Sequence, residues 1–186
     1  MSIRLKSGGH SFSIEELTAM QDGGYPTDIV VLTTKTTLVP EELFDAAHAT
    51  DYLSEVGLSP SISEIAINTT SCNGMVAVMA INKRCYEALK TSMSTECVFS
   101  TPLLDNEAPT DGSILHLEDN ILYVRVYNGG LKFAEAMECK SDADVLYYLT
   151  SINEVYNIFN THARAKGETT RLQRIAKKVF KKIVCE

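Results

Sequence analysis

Two glycine pairs have the composition of turns that could hold a phosphate group. Gly8-Gly9 lies within residues 4–12 and Gly129-Gly130 within residues 125–133, and both stretches fit the pattern R-x-x-x-G-G-x-x-F. Backbone N–H groups in such turns can bind phosphate oxygens, because glycine has no side chain to keep the anion away. The pattern therefore raises the hypothesis of a nucleotide-binding site.

A nucleotide site also needs a carboxylate that holds Mg²⁺ beside the phosphates. No acidic residue stands next to Gly8-Gly9 or Gly129-Gly130, and the turn that contains Asp119 has no glycine. The phosphate-loop pattern G-x-x-x-x-G-K-[ST] does not occur in the sequence. We therefore favour the alternative that both glycine pairs form hairpin turns, in which glycine supplies a positive φ.

Histidine and cysteine do not form a metal or nucleophile pattern. The four histidines are isolated from one another; they are His10, His48, His116 and His162. The five cysteines are scattered, without a C-x-x-C pair; they are Cys72, Cys85, Cys97, Cys139 and Cys185. This spacing predicts reduced thiols and neither a zinc site nor a disulfide framework. The sequence predicts no catalytic residue and no metal site.

The composition is ordinary for a globular protein. The chain has 186 residues, of which 45% are hydrophobic and 22% are charged, and this is enough for one large domain or two small lobes. It has no apolar stretch long enough to cross a bilayer, and its start lacks a signal-peptide pattern. Together with reduced thiols, these features predict a cytoplasmic protein without membrane contact.

Alternating apolar residues and turn signals predict a strand-rich first half. The residues on both sides of Gly8-Gly9 alternate as in a β-hairpin. Pro40, followed by two glutamates, predicts the start of a helix that runs to Gly57 with a break near Ala46. Asn73-Gly74 predicts a second hairpin. The other predicted elements are strands over 29–32, 63–70, 75–81 and 96–100 and a helix over 82–93.

The second half repeats strands, a helix, a strand and a helix. Turns at Asp119-Asn120 and Gly129-Gly130 separate the strands of a predicted meander. Ser141 is expected to cap the long helix that follows, with two aspartates in its first turn. The predicted elements are strands over 114–117, 121–127, 131–137 and 161–166, a helix from Ser141 and an amphipathic helix over 169–184.

The repeated order predicts an α/β fold built from a duplicated unit with mixed sheets. The N-terminal lobe is predicted to cover residues 1–101 and the C-terminal lobe residues 113–186. Residues 102–112 are polar, with two prolines and an Asp-Gly pair, and are predicted to form the linker.

The net charge of −7 conceals a basic C-terminal segment. Residues 163–186 contain eight lysines and arginines against two glutamates, a net charge of +6. The rest of the chain has nine basic against 22 acidic residues, a net charge of −13. The predicted C-terminal helix therefore presents a basic face.

Three segments resemble an uncharacterised family of Bacteroidetes proteins, known as a domain of unknown function with an actin-like ATPase fold. They are S-I-R-L at 2–5 with S-F-S at 11–13, L-V-P-E-E-L-F at 38–44 and D-V-L-Y-Y-L at 144–149. The resemblance covers nearly the whole chain and implies two RNase H-like lobes, in agreement with the duplicated pattern. It implies no established activity.

The resemblance also implies where a nucleotide would bind if such binding is retained. An actin-like ATPase has an acidic residue beside a glycine turn in each lobe and a further glycine turn that packs on adenosine. The residues at these positions are Gly8, Gly9, Asp119, Gly129, Gly130 and Gly167. Neither glycine pair has a carboxylate beside it and Asp119 has no glycine beside it, so no cofactor is predicted.

The favoured function is a catalytically silent actin-like module that binds a protein partner. One alternative is a diverged nucleotide-binding protein of the ATPase type. Another is a protein that binds an anionic partner through its basic C-terminal helix. Nucleic-acid binding is not expected, because base stacking uses aromatic side chains and only Phe180 stands among the basic residues.

Overall fold

The structure is a computed structural model that describes residues 2–6, 27–92 and 97–185. Its internal contacts divide the chain into two units, Met1–Asp105 and Asn106–Glu186. The division falls inside the stretch 102–112 that the sequence analysis assigned to a linker. The predicted lobe limits, 1–101 and 113–186, stay a prediction.

The first unit has six described strands and two described α-helices. In chain order they are β1 (Ser2–Lys6), β2 (Thr27–Leu32), β3 (Thr36–Pro40), α1 (Ala49–Glu55), β4 (Glu64–Asn68), β5 (Met75–Asn82), α2 (Lys83–Ser92) and β6 (Cys97–Ser100).

These strands form two separate three-stranded sheets. In the first sheet, with order β1-β2-β6, all strands are parallel. In the second, with order β3-β5-β4, all strands are antiparallel. The two sheets contribute to one core because β5 is almost entirely buried and side chains from both sheets pack together. This core contains Ile3, Leu5, Ile29, Val31, Ile67, Met79, Ile81 and Leu89.

The structure confirms the hairpin predicted at Asn73-Gly74. Both residues have a left-handed backbone, with φ of 51° and 71°, as a two-residue hairpin turn requires. The hairpin predicted at Gly8-Gly9 lies outside the described residues.

The helix predicted over 40–57 is wrong in its first half. Pro40 ends β3, where it pairs with Met75, and two 3-10 turns, Glu41–Leu43 and Ala46–His48, precede α1. Strand pairing holds Pro40 extended, with φ −53° and ψ 134°. The side chain of Asp45 then accepts a hydrogen bond from Ala47 N at 2.9 Å, and such local bonds compete with a continuous helix.

The second unit has one five-stranded mixed sheet and two α-helices. In chain order its elements are β7 (Asp111–Glu118), β8 (Ile121–Asn128), β9 (Leu131–Glu138), α3 (Asp142–Tyr156), β10 (His162–Gly167), α4 (Thr169–Ala176) and β11 (Lys182–Cys185). The strand order is β11-β10-β7-β8-β9. The predicted meander is confirmed, since β7, β8 and β9 are antiparallel. Strands β10 and β11 add in parallel.

Helices α3 and α4 lie on one face of this sheet. Ser141 begins α3 with a capping box: its hydroxyl accepts from Asp144 N, and its own N–H donates to the Asp144 carboxylate. The buried core between sheet and helices includes Leu115, Leu117, Val124, Val145, Leu149, Ile152, Ala163, Ala165, Leu172, Ile175 and Phe180. Among the described residues, no helix has the length and apolarity needed to cross a membrane.

The amphipathic helix predicted over 169–184 is wrong beyond Ala176. A turn follows α4, and the last residues form β11, which pairs in parallel with β10. The apolar spacing was misleading because a turn can bury the same side chains: Val179 and Phe180 are 5% and 2% exposed. The edge of β10 also supplies backbone partners to β11, which a sequence pattern does not reveal.

Candidate functional site

The two turns of the second unit that were considered for phosphate lie at opposite ends of one strand. Asp119-Asn120 joins β7 to β8, and Gly129-Gly130 joins β8 to β9. Strand β8 has eight residues, so at about 3.4 Å per residue the two turns are roughly 25 Å apart. One phosphate group therefore cannot contact the carboxylate of Asp119 and the glycines of the other turn.

The backbone of the Gly129-Gly130 turn is already used within the protein. Gly129 N donates to Thr110 O at 3.0 Å and to the Asp111 carboxylate at 3.2 Å. Asn128 N donates to Gly130 O at 2.9 Å, and both glycines have positive φ, 61° and 132°. The glycines thus serve the hairpin, as the sequence analysis favoured, and the N–H of Gly129 is taken.

Gly167 lies at the same end of the sheet as Asp119, but packing explains why it is a glycine. It pairs with Leu117 in the parallel register of β10 and β7. It has φ of 74°, and a Cβ there would lie 2.2 Å from Leu117 O and 3.1 Å from the ring of His116. The next N–H, of Glu168, donates to Leu117 O at 2.7 Å. The backbone donor beside Gly167 is therefore also engaged.

His116 lies far from the other histidines in the sequence, but it has a carboxylate partner on its own strand. Its Nε2 lies 2.9 Å from a carboxylate oxygen of Glu118, and both side chains are 17% exposed. The ring meets Tyr123 edge to face, with centroids 6.0 Å apart. Residues two apart on a strand share a face, so the spacing of His116 and Glu118 on a predicted strand was a signal that could have found this pair.

Two arginines near this end of the sheet are paired with carboxylates. Arg171 Nε donates to Asp142 at 2.8 Å, and Arg174 donates to the other Asp142 oxygen at 2.6 Å. Arg171 also donates to Glu168 at 3.1 Å. The hydrogen bond from Arg171 is the main reason why the pKa of Asp142 lies below its usual value. Both guanidinium groups that could attract a phosphate thus already have carboxylate partners.

Cys139 stands between β9 and α3 but is not suited to nucleophilic chemistry. It is fully buried, and its N–H donates to Asn120 O at 2.7 Å. Burial, and secondarily the nearby negative charge of Asp144, raises the pKa of its thiol to about 11. At neutral pH the thiol therefore keeps its proton, and the reactive thiolate is scarce.

The sequence analysis missed Glu107, which organises the sheet face opposite the helices. Its carbonyl oxygen accepts from Arg125 at 3.1 Å and from the Tyr127 hydroxyl at 3.3 Å. Its carboxylate accepts from Arg164 at 2.9 Å and from Lys166. These partners come from two strands that are far from Glu107 in the sequence, so no local pattern could have indicated the contact.

The first unit has a small open pocket beside the ends of β1 and β2. It spans about 320 Å³ of space, part of which is open solvent, and is lined in part by Leu5, Lys6, Val31 and Cys85. Glu64, which also lines it, is held by Lys35 at 2.6 Å. Gly8 and Gly9, which follow β1, lie outside the described residues, so the first predicted phosphate turn has no geometry to report.

Metal ligands do not cluster in the part of the chain that the structure describes. No group of three or more histidine, cysteine, aspartate or glutamate side chains is placed to hold an ion there. The carboxylates at the Asp119 end of the sheet instead have arginine, histidine or backbone partners, such as Arg171 for Asp142 and His116 for Glu118.

The mixed sheets and the helices packed on them define an α/β protein with the actin-like ATPase fold. A Bacteroides thetaiotaomicron protein, described as having this fold and unknown function, is similar over 100% of this chain and 89% of its own, with 16% identity and a TM-score of 0.75. At this identity the likeness shows the fold alone. The predicted fold class is confirmed.

The chain belongs to the family described as Protein of unknown function (DUF3822), whose model matches residues 25–164. The resemblance stated from the sequence is thereby confirmed. No curated protein matches the sequence.

Two further solved structures are more distant. The cytoplasmic domain of EpsL, an inner membrane component of the type II secretion system of Vibrio cholerae, has 13% identity and a TM-score of 0.44, over 95% of this chain and 94% of that one. The AlfA filament bound to AMPPNP has 9% identity and a TM-score of 0.38, over 91% of this chain and 55% of that one. Neither likeness carries an argument about this chain.

We predict that Gly167→Ala destabilises the protein more than Gly129→Ala. Both glycines have a left-handed φ, 74° and 61°, so alanine costs about 1–2 kcal/mol of backbone strain at each. Only Gly167 adds a clash, at 2.2 Å from Leu117 O, whereas a Cβ at Gly129 meets nothing within 4 Å. Urea unfolding of both variants measures the difference, and equal losses would contradict the packing role of Gly167.

The pairing of Asp142 predicts a pH-dependent contribution to stability. Because the folded pKa of Asp142 is lowered, its stabilising effect is full above the unfolded pKa of about 3.9 and is lost as the pH falls through the folded value. The melting temperature of Asp142→Asn should therefore lie below that of the wild type at pH 7, and the gap should close towards pH 3. Glu154→Gln, exposed on the same helix, is the control, and a gap that does not depend on pH would refute the role of the charge.

Proposed function

We propose that this chain is a catalytically silent actin-like module that binds a protein partner. The observation that carries the proposal is the separation of Asp119 from Gly129-Gly130 by the full length of β8. A Mg²⁺-bound nucleotide requires a carboxylate and backbone donors at one place. In the second unit, Asp119 and the Gly129-Gly130 pair lie at opposite ends of the sheet.

The electrostatics of the Asp119 end support the same proposal. Glu118, Asp142 and Glu168 all lie at this end, where Gly167 pairs with Leu117 and Arg171 joins Asp142 to Glu168. A phosphate would have to displace these carboxylates from Arg171 and Arg174 before it could use either cation. Asp142 and Glu168 thus bind the arginines that an anionic ligand would otherwise use.

The binding half of the proposal is supported by apolar side chains on the surface of α3. Tyr147 and Val155 are 67% and 73% exposed. They are eight residues apart and therefore share one face of the helix. Phe159, just beyond the end of α3, is 46% exposed. Exposed aromatic and aliphatic groups of this kind are typical of protein-interaction surfaces.

One arrangement favours the second candidate, a diverged nucleotide-binding protein. Asp119, Gly167 and the start of α3 all lie at one end of the sheet, so a carboxylate, a glycine and a helix N-terminus are within one region. The two candidates therefore differ in a single measurable property, the binding of nucleotide with Mg²⁺.

We predict that about 1 mM ATP with Mg²⁺ leaves the melting temperature unchanged. A ligand with a Kd of about 10 μM would be at 100-fold excess and would stabilise the native state by about 2.7 kcal/mol. For a chain of this size, that gain corresponds to a rise of roughly 5–10 °C. ATP without Mg²⁺ is the control. A Mg²⁺-dependent rise that is lost in Asp119→Ala would establish the second candidate instead.

If the chain binds a protein through the exposed surface of α3, changing that surface should abolish the binding. Immobilised wild-type chain should capture a partner from a lysate of the source organism, and Tyr147→Ser with Val155→Ser should lose it because the apolar contact is removed. Glu135→Gln, a surface change on β9, is the matched control and should capture as the wild type does. Equal capture by all three chains would count against α3 as the binding surface.

A further inference from the structure

The structure sorts the eight basic residues of the C-terminal segment into two groups. Four of them form ion pairs within the second unit: Arg164 and Lys166 with Glu107, and Arg171 and Arg174 with Asp142. The other four are exposed and have no ion pair among the described residues; they are Lys177, Lys178, Lys181 and Lys182. Only the second group is available to a partner.

We name these four side chains and the turn that carries them the lysine turn, residues 177–182. The turn is rigidly anchored, because Val179 and Phe180 lie in the core and Phe180 N donates to Ala176 O at 2.8 Å. Lys182 pairs with His162 in the register of β11 and β10. The backbone that carries the positive charges is therefore ordered without a partner's help, which lowers the entropic cost of binding.

An exposed aromatic ring stands next to the lysine turn. Lys181 N donates to Phe159 O at 3.1 Å, and Phe159 is 46% exposed. Val184, on the strand that follows the turn, is also 46% exposed. The surface thus combines positive charge with apolar contact area, so its partner should combine negative charge with apolar side chains.

The same chain carries such a surface on its first unit. Residues 36–82 contain six acidic residues and no lysine or arginine. Five of the six fall within residues 41–55 and are exposed; they are Glu41, Glu42, Asp45, Asp51 and Glu55. Leu43 and Val56, in and beside this stretch, are 66% and 54% exposed. We name residues 41–56 the acidic face.

The acidic face is also held in a defined shape. The Tyr52 hydroxyl donates to Leu43 O at 2.8 Å and accepts from Asp45 N at 3.0 Å, so α1 is tied to the turns before it. Asp51 pairs with His48 at 2.8 Å. The glutamates have no such partner in the described residues, and their charges are open to solvent.

We propose that the lysine turn of one copy docks on the acidic face of a second copy. The two surfaces match in charge and in exposed apolar groups, and both are exposed within a single chain. Because they are different surfaces, the contact is heterologous: one copy keeps an unused acidic face and the other an unused lysine turn, so further copies can add. The proposal goes beyond the proposed function: it does not depend on nucleotide, and it shares only Phe159 with the apolar surface of α3.

Two other anionic partners fit these observations less well. Nucleic-acid sites favour arginine, whose planar fork matches phosphates and base edges, but the four exposed cations are all lysines. A membrane surface gains about 1 kcal/mol per lysine, and repulsion of a chain with net charge −7 opposes that gain. The acidic face carries opposite charge at a similar scale, so a second copy is the better match.

The test is a charge swap followed by sedimentation velocity. The first variant changes Lys177, Lys178, Lys181 and Lys182 to Glu. The second changes Glu41, Glu42 and Glu55 to Lys and leaves the paired Asp45 and Asp51 intact. The wild type should associate with rising concentration, and each variant alone should associate at least about tenfold more weakly, because like charges then face each other. An equimolar mixture of the two variants should associate again.

Two controls test whether the association is electrostatic and whether it uses these two surfaces. Raising the salt from about 0.1 M to about 1 M shortens the Debye length from about 10 Å to about 3 Å and should dissociate the wild type. Glu135→Lys with Glu154→Lys, outside both surfaces, should associate as the wild type does, and circular dichroism checks that each variant is folded. A wild type that stays monomeric, or a mixture of variants that does not associate, would overturn the proposal. So would a wild type that binds a short RNA instead of itself.

Discussion

Glu107 makes it possible to bury cations on the face of the five-stranded sheet that the helices do not cover. Both its carboxylate and its carbonyl oxygen accept hydrogen bonds there. Helices α3 and α4 cover one face with apolar side chains, but the other face carries cations from β8 and β10. Arg125 is only 2% exposed, and moving an ion out of water costs several kcal/mol unless it is well paired. Glu107 meets Arg125 and Tyr127 through its carbonyl and Arg164 and Lys166 through its carboxylate. Glu107 thus supplies hydrogen-bond acceptors to side chains from two strands, β8 and β10.

This arrangement also fixes where the chain enters the sheet. Glu107 stands four residues before β7 begins at Asp111, so β7 must run directly beside β10, whose cations Glu107 holds. The close pairing of β7 and β10 then requires glycine at both ends. A Cβ at Gly112 would lie 2.6 Å from His162 O, and one at Gly167 would lie 2.2 Å from Leu117 O. Gly167 is therefore a consequence of strand packing, although its sequence context suggested a nucleotide turn.

Local chemistry determined which elements could be predicted from the sequence. The Asn73-Gly74 hairpin, the β7–β9 meander and the cap at Ser141 depend on residues close together in the chain, and these predictions are correct. The helix predicted from Pro40 began too early, because Pro40 pairs with Met75 in β3 and two 3-10 turns follow it. The helix over 169–184 was overextended because β11 forms by pairing with β10. The bonds from Arg164 and Lys166 to Glu107 span 57 and 59 residues, and no sequence period reports such contacts.

The lack of glycine beside Asp119 does not by itself exclude a phosphate from that turn. Asp119 and Asn120 already have φ of 51° and 60°, the backbone that glycine would provide, so the turn is formed without it. Charge is the stronger obstacle. Glu118, Asp142 and Glu168 stand at the same end of the sheet, where Asp142 and Glu168 hold the nearest arginines. A polyanion at this end would therefore compete with Asp142 and Glu168 for Arg171 and Arg174. This competition is the physical basis of the proposal that the module is catalytically silent.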